Sequence, residues 1–346
     1  MEHIGIDLGT RHSHVVALSA SGRVRLRQRV ETRELASWLA KRRASRVVME
    51  ACTQSPVIAS CALEAGHHTT VVPGQFVRLL GVGARGIKTD DRDAEALARA
   101  SLHNPQLPSV HLRSELSRQR RELQAARAVL LDSRKQIALS IKGWLRGRLT
   151  PVYKRASSAH FCQLVRQAAV EHPDGLPRTI ELLLQSYQHL CEQIETLQQE
   201  VEQLAAQDPV CQLLMTMPGV GPQVSMAFTA HLDDPARFSS ADHVASYLAL
   251  SPGEQTTGGK IRRTGTLRAG PLHLKALLVQ SAWSMWRSRP NDPMVLWARG
   301  LSDKRGRRIA ITALARKIAT VLWAMWKHGC AYDPARASSV RATPTP

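Results

Sequence analysis

The chain of 346 residues is short of acidic residues, of paired cysteines and of long uncharged apolar runs. Its six cysteines include no pair with C-x-x-C spacing, which argues against a zinc site and against a disulfide framework. We therefore expect reduced thiols in a cytoplasmic protein. No signal peptide is visible, because strand-like sequence begins at His3. The apolar run near 309–326 contains Arg316 and Lys317 and is too short to span a bilayer, so we expect no membrane partner.

The shortage of acids leaves a large positive charge. The chain has 47 lysines and arginines against 28 acids, a net charge of +19 with histidine neutral. Such an excess predicts salt-dependent attraction to the phosphates of nucleic acids, although a solvated basic surface would have the same composition. The charge is concentrated in two blocks, because residues 111–155 hold twelve lysines and arginines against three acids, and residues 260–308 hold twelve against two.

The apolar patterning of residues 1–110 predicts an α/β domain, in a chain long enough for two or three domains. Strand-like runs occur at 3–8, 13–18, 23–30, 46–50 and 68–72, and helix-like stretches at 32–43, 54–66 and 91–102. Three hairpin-joined strands followed by alternating helix and strand is the order of an RNase H-like fold. The segment 111–150 then reads as a long basic helix, with Arg120, Arg121, Arg127, Arg134 and Lys135 as candidate nucleic-acid contacts.

Four carboxylates stand where charge is costly or clustered. Asp7 lies in the first apolar strand and Glu50 closes a later one, and a charge there is costly unless something pairs with it. Asp90 and Asp93 are three apart on a predicted helix and share one face. Four acids brought together would repel one another, and Mg²⁺, which favours oxygen ligands, would remove that conflict. Two such ions would form the clamp that nucleases and polymerases place on phosphodiesters.

Other interpretations fit the individual acids. Acids at the start of a helix often only cap it, and Asp91 and Glu95, four apart, form a competing pair. The order of the acids is more informative, since it runs from the first strand to the end of a later strand and then to the opening of a helix. That order is typical of an RNase H-like fold, in which strand ends converge on one metal site.

Residues 180–204 have the clearest periodicity in the chain. The apolar positions are Ile180, Leu183, Tyr187, Leu190, Ile194, Leu197, Val201 and Leu204. They recur in alternating steps of three and four, which is the a/d pattern of a coiled coil with a mean period of about 3.5. The pattern predicts self-association, and packing within one chain, including a hairpin with 111–150, is the alternative.

Two segments of the C-terminal part are candidates for phosphate binding. The sequence "MTMPGVGPQVS" at 215–225 has the pattern of a helix-hairpin-helix, although a plain glycine turn would look the same. The loop Thr256-Thr257-Gly258-Gly259 offers hydroxyls beside cations, as either phosphodiester attack or phosphate binding requires; from the residues alone, binding is favoured. The candidate residues are Gly219, Gly221, Gly258, Gly259, Lys260, Arg262, Arg263 and Arg268.

Over nearly its full length the chain resembles the DEDD transposases of the insertion sequence 110 family. These are related to Piv-type DNA invertases and include bridge-RNA-guided recombinases. The resembling segments are "IGIDLG", "MEA", "KTDDRDA", "MPGVGP", "LALSPGEQTTGGK", "HLKALLVQSAW" and "ALARKIATVLWAM". Their order and spacing together make the resemblance specific.

The resemblance implies a RuvC-like domain whose DEDD carboxylates are Asp7, Glu50, Asp90 and Asp93. It resolves the ambiguity at Asp91, because the family pattern is K-T-D-x-x-D-A. It also implies a coiled-coil insertion and a C-terminal transposase domain. We predict a RuvC-like domain with its basic helix at 1–155, a coiled-coil region at 156–207, a mostly α-helical transposase domain at 208–335 and a flexible tail at 336–346.

The chain departs from the family at the nucleophile. Relatives have a serine before glycine after a conserved proline, and that serine is taken to form a covalent phosphoserine with DNA. Counting from Pro252, the matching residue here is Thr257, followed by Gly258. A threonine hydroxyl can serve as a nucleophile, but its methyl group stiffens the side chain and crowds the line of attack. Three interpretations follow: a working nucleophile, a slow enzyme, or a protein that has kept only binding.

The function predicted from these features is that of an insertion-sequence transposase. A structured RNA would pair with donor and target DNA, Mg²⁺ at the four acids would activate the scissile phosphate, and Thr257 would attack it. The family implies at least a dimer, because two subunits complete one site. The alternatives are a RuvC-like nuclease that cuts by hydrolysis and a nucleic-acid-binding protein without catalysis.

Overall fold

The computed structural model describes residues 1–77, 89–149, 158–170, 175–257, 260–266 and 270–339. By their internal contacts the residues form two compact units, one of Met1–Ser114 and one that begins at Glu115. This boundary places the basic helix in the second unit. The predicted division into four regions stays a prediction.

The first unit is built on a mixed five-stranded sheet. Its strands are β1 (His3–Asp7), β2 (His12–Leu18), β3 (Val24–Glu31), β4 (Arg46–Glu50) and β5 (His68–Val72). The strand order is β3-β2-β1-β4-β5, in which β2 is antiparallel to β1 and β3, whereas β4 and β5 run parallel to β1. The bounds of all five strands agree with the sequence prediction to within one residue.

Helices cover both faces of this sheet. They are α1 (Leu35–Ala40), α2 (Ser55–Glu64), α3 (Gly74–Val77) and α4 (Asp90–His103), and a 3₁₀ turn at Thr32–Glu34 precedes α1. On one face Ile4 and Ile6 pack with Leu35 and Leu39 of α1 and with Ile58 of α2. Helix α4 covers the opposite face, where its Ala94 and Ala98 pack with alternate residues of β2.

Gly5 allows α4 to lie directly on β1. A Cβ built on Gly5 would stand 2.0 Å from the Ala94 carbonyl oxygen and 2.6 Å from the Ala98 nitrogen. Any other residue would push the helix away from the strand. The contact therefore fixes how close the first turn of α4 comes to the end of β1.

The second unit is mostly helical in the part of the chain that the structure describes. Its helices are α5 (Glu115–Gly147), α6 (Ser158–Val170), α7 (Arg178–Gln207), α8 (Pro209–Met215), α9 (Pro222–Leu232), α10 (Ala241–Tyr247), α11 (Leu272–Ser288), α12 (Pro293–Arg305), α13 (Arg307–His328) and α14 (Pro334–Ser339). A hairpin of β6 (Pro252–Thr257) and β7 (Lys260–Thr266) lies between α10 and α11, and a 3₁₀ turn at Pro235–Arg237 precedes α10. Helix α14 extends into the predicted tail, and residues 340–346 lie outside the described chain.

Part of the apolar seam of α7 is buried by packing within the same chain. It packs along α5, and Ile141 and Leu145 of α5 share a core with Ile180, Leu184 and Tyr187 of α7. The a positions are buried, namely Ile180, Tyr187, Ile194 and Val201. The d positions remain partly open: Leu183, Leu190 and Leu197 are half-buried and Leu204 is exposed. The intramolecular alternative therefore accounts for one half of the seam.

The largest hydrophobic core is formed by helices α8, α9, α10, α11, α12 and α13 together. Phe228 of α9 is fully buried in it, among Leu278 of α11, Met294 of α12 and Leu314 and Ile318 of α13. Helix α13 is long and apolar enough to cross a membrane by composition, but two thirds of its apolar window is buried inside the protein, which is how a core helix behaves. The six cysteines are all free thiols.

Candidate functional site

The first two acids meet at one edge of the sheet. Asp7 is the last residue of β1 and Glu50 the last of β4, and these strands are parallel neighbours. Since Ile6 and Met49 are register partners, the two acids that follow them stand side by side at the carboxyl edge. Both belong to the face that α4 covers, because alternate residues of a strand share a face and Gly5 contacts α4.

Helix α4 brings the second pair of acids to the same face. Asp90 opens the helix with its side chain exposed, whereas Asp93 is buried, with 4% of its surface accessible. Thr89 precedes the helix without a side-chain cap, so the acids of the first turn also complement the helix dipole. The topology thus places all four predicted carboxylates at one edge and one face of the sheet.

His14 is a residue of this edge that the sequence reasoning missed. It stands opposite Asp7 in the β1–β2 register, and its Nδ1 lies 2.6 Å from Oδ1 of Asp91. Its Nε2 lies 3.6 Å from Oδ2 of Asp90. One signal in the sequence could have indicated this histidine. Alternate residues of a strand point to the same face, so the position of His14 in β2 places its side chain on the face that α4 covers. Asp91, which the sequence offered as an alternative metal ligand to Asp90 and Asp93, is therefore in contact with His14.

The donor set fits Mg²⁺ in chemical type. Carboxylate oxygens are the ligands that this ion prefers. Gly74 also leaves room at the edge, since a Cβ built on it would lie 2.9 Å from Oε1 of Glu50. Over the described ranges, however, no group of three or more His, Cys, Asp or Glu side chains is gathered closely enough to hold an ion. Binding one would therefore require these side chains to turn toward each other.

The predicted nucleophile lies at the end of β6. The register of the hairpin pairs Thr257 with Lys260, Gln255 with Arg262 and Glu254 with Arg263 along the backbone. Three other predicted residues, Gly258, Gly259 and Arg268, lie outside the described residues. The hairpin therefore brings the threonine and three of the predicted cations into neighbouring strands.

The predicted arginines of α5 have different surroundings. Arg120 forms an ion pair with Asp208 and donates a hydrogen bond to Thr229 at 3.2 Å, and both ionic side chains are nearly buried. The structure thus gives Arg120 a structural partner. Burial raises the pKa of Asp208, but hydrogen bonds from the Cys211 N–H and from Arg120 outweigh it and hold that pKa below its ordinary value.

The other predicted cations of α5 differ in how far they are exposed. Burial and the neighbouring charge of Arg134 both lower the pKa of Arg127. Arg134 lies 3.8 Å from the Cys191 sulfur, Arg121 is half-buried and Lys135 is exposed. Of these four cations Lys135 is therefore exposed, whereas Arg121, Arg127 and Arg134 are half-buried.

In the glycine turn before α9, packing alone accounts for Gly219. Gly219 has φ +83°, and a Cβ on it would lie 2.7 Å from the Ser281 carbonyl oxygen of α11. This close approach explains the glycine without a ligand. Gly221 directly precedes α9 and has open space around it, so a ligand could approach the backbone there.

Comparisons with known proteins cover both units. Residues 4–148 match a transposase family model of the DEDD, IS110 type, and residues 211–294 match the model described as the transposase IS116/IS110/IS902 family. The chain is 28% identical over 336 residues to the transposase for insertion sequence element IS1328 of Yersinia enterocolitica, which covers 95% of this chain and 98% of that protein.

Two further relatives are similar over a comparable length. A probable family 20 transposase of Pseudomonas aeruginosa is 26% identical over 343 residues, covering 96% of this chain and 99% of that protein. The transposase for insertion sequence element IS1111A of Coxiella burnetii is 25% identical over 330 residues, covering 93% and 88%. The two segments matched by the family models contain the four acids, the glycine turn and the β6–β7 hairpin.

Proposed function

The chain belongs to the IS110 family of DEDD transposases and is a DNA transposase, and from this premise we propose how it cuts and rejoins DNA. Asp7, Glu50, Asp90 and Asp93 hold Mg²⁺, Thr257 attacks the phosphodiester, and a structured RNA of the element selects the DNA. The observation that carries the proposal is the placement of the four acids at one edge and one face of the sheet.

Two features of the first unit support the metal site. The strand order β3-β2-β1-β4-β5, in which β2 runs antiparallel to the other strands of this sheet, supports the proposal of an RNase H-like, RuvC-like domain. Asp93 is buried at the start of α4, on the face of the sheet that also carries Asp7 and Glu50. Bound Mg²⁺ would act as a Lewis acid on the scissile phosphate. Asp7 and Glu50 would supply oxygens from the ends of β1 and β4, and Asp90 and Asp93 would supply oxygens from the start of α4.

The proposed covalent step uses the hydroxyl of Thr257. Its oxygen bonds to phosphorus while the bond from phosphorus to one DNA oxygen breaks. The threonine proton passes to solvent, and the departing strand takes up a proton and leaves as a hydroxyl. Attack by another strand's hydroxyl reverses these changes and restores Thr257, so that rejoining needs no further co-reactant. The backbone pairing of Thr257 with Lys260, and the arginines along β7, support a phosphate at this hairpin.

The proposed partners are duplex DNA, a structured RNA and further copies of the chain. The net charge of +19 and the exposed cations of α5 support a polyanionic partner. The turn at Gly219–Gly221, between α8 and α9, is proposed as a helix-hairpin-helix that holds a DNA phosphate. The open d positions of α7 support pairing between subunits.

A strand-exchange assay with purified protein, RNA and DNA in Mg²⁺ tests the proposal. Asp7→Asn and Asp93→Asn should lower exchange by more than about 100-fold and leave RNA binding unchanged, because binding rests on the cations. Glu64→Gln, which removes an exposed acid of the same unit, should exchange normally. Full exchange by Asp7→Asn would remove the metal site. DNA cleavage without exchange would favour a hydrolytic nuclease, and binding without either reaction would indicate a silent binding protein.

A further inference from the structure

A second basic site lies at the opposite end of the sheet from the acids. A surface groove of about 670 Å³ opens there, lined by Met1, Glu2, Arg25, Trp38, Lys41, Arg42, Arg43, Ala44 and Ser45. The lining residues outside α1 stand where β1, β3 and β4 begin, whereas Asp7 and Glu50 stand where β1 and β4 end. At about 3.3 Å per residue, a five-residue strand separates the two sites by roughly 15 Å.

The groove is strongly cationic. Arg25, Lys41 and Arg43 are exposed and line the groove together. The acid in the lining is Glu2, and its charge is balanced by an ion pair with Arg42 at 3.4 Å. Uncompensated cations in a concave surface concentrate field lines and attract a polyanion more strongly than the same charges on a convex face.

The position of Arg25 depends on a β-bulge. The β2–β3 register shifts so that Leu26 pairs with Ala17 and Val24 pairs with Leu18, which leaves Arg25 as the extra residue. Arg27, two residues later, points to the α4 side and binds Glu95 of α4. Simple alternation would send Arg25 to that side as well, but it lines the groove beside Trp38 of α1, which packs on the opposite face. A bulge is the means by which a strand redirects a side chain.

The groove also has an aromatic wall. The Trp38 ring is half-buried, and the Arg42 guanidinium lies 4.0 Å from its centroid. The Trp38 indole N–H donates a hydrogen bond to Gln28 at 3.3 Å, which holds the ring in place. A flat guanidinium fixed on an aromatic ring is a platform on which an unpaired base can stack.

We propose that this groove binds a single-stranded stretch of the structured RNA, with the backbone phosphates on Arg25, Lys41 and Arg43 and a base against the Arg42–Trp38 platform. The inference rests on the proposed function, since it names a contact of the same RNA. A groove with an aromatic stacking face suits an unpaired strand, because a duplex offers no free base face. Its distance from the acids suits a nucleic acid that is held and not cut.

Two charge-matched double variants test the proposal. Arg25→Gln with Arg43→Gln removes two cations from the groove. Arg33→Gln with Arg178→Gln removes two exposed arginines outside it. The groove variant should bind the element's RNA about ten-fold more weakly than the control, and its slope of log affinity against log salt should fall by about 1.4. Affinity for duplex DNA ends should be equal in the two variants. Circular dichroism and a thermal melt establish that both are folded.

Each outcome decides the matter. Equal RNA affinity in the two variants, or a larger loss for duplex DNA than for RNA, would overturn the proposal. Ultraviolet crosslinking of RNA to the unaltered protein, followed by mass spectrometry, should place a nucleotide within residues 38–45, and crosslinks confined to other segments would contradict it. If the unaltered protein does not prefer the element's RNA over unrelated RNA, the guide function fails, whereas the comparison between variants still reports whether the groove binds a single strand.

Discussion

His14 Nδ1 lies 2.6 Å from Asp91 Oδ1, and this contact ties the second strand of the sheet to the first turn of α4. The same imidazole stands opposite Asp7 and close to Asp90. It therefore touches the elements that carry three of the four proposed metal ligands. We infer that His14 is a positioning residue, which fixes where α4 begins and leaves Asp91 out of the ligand set.

Replacing His14 with alanine should weaken metal binding by the acids without unfolding the protein. Loss of an orienting neighbour typically costs about 10–100-fold in metal affinity or activity. We expect a loss of this size in both Mn²⁺ affinity, measured by calorimetry, and strand exchange, with partial rescue by His14→Asn. His12→Ala, on the same strand and hydrogen-bonded to Arg29, is the control and should change neither. Unchanged Mn²⁺ binding in His14→Ala would show that the contact is only structural.

The buried ion pair of Arg120 and Asp208 should stabilise the second unit. Arg120→Met leaves the carboxylate of Asp208 without its cation in a nearly buried site, which typically costs about 3 kcal/mol. A denaturant melt should show the loss. The control is Arg33→Gln at an exposed pair with Glu31, where the cost should be below about 1 kcal/mol. Similar midpoints for the two variants would mean that the buried pair contributes no more than an exposed one.

The lowered pKa of Asp208 predicts a dependence of stability on pH. A carboxyl whose pKa is lower in the folded state contributes stability above its unfolded pKa, and this contribution is lost as the pH falls through the folded value. Asp208→Asn keeps a side-chain oxygen for the N–H groups of Val210 and Cys211 but removes the charge. Its melting temperature should therefore fall less on acidification from neutral pH than that of the native protein. Parallel curves would contradict the assignment.

The two halves of the α7 seam should respond differently to charge. Ile194→Asp places a carboxylate at a buried position and should destabilise the fold, as a melt would report. Leu197→Glu with Leu204→Glu changes two open d positions and should instead shift the protein toward monomer in light scattering, with little loss of stability. The control Gln199→Glu adds charge on an exposed position. An unchanged oligomer in the d-position variant would assign the whole seam to packing within one chain.

Local patterns predicted the first unit well. The strands of the sheet follow from alternating apolar residues and turn signals, and the position of the acids follows from the strand order. What could not be predicted depends on contacts distant in sequence. The bond from His14 to Asp91 spans 77 residues, and the pair of Arg120 and Asp208 spans 88. An arginine in a basic helix looks the same in sequence whether it faces solvent or a buried acid.

The seam shows the same limit. Its 3.5-residue period predicts an apolar stripe but does not identify the helices that pack on it. In the structure the a positions are buried, whereas the d positions stay partly open. Charge counts likewise pointed to the blocks at 111–155 and 260–308. They overlooked the groove at Arg25 and Lys41, because a β-bulge and the chain reversal between β3 and α1 bring those cations together.

The most direct test of the proposed chemistry is to trap the protein on a nicked suicide DNA substrate with its RNA in Mg²⁺, and to locate the DNA by digestion and mass spectrometry. We expect a phosphodiester on Thr257. Thr257→Val, which keeps the shape and removes the hydroxyl, should form no adduct and stop strand exchange while still binding RNA. Thr257→Ser, which lacks only the crowding methyl group, should match or exceed the native rate. An adduct on Thr256 would move the nucleophile by one residue. Strand exchange that continues in Thr257→Val with no adduct at either threonine would contradict the covalent mechanism and leave metal-dependent hydrolysis in its place.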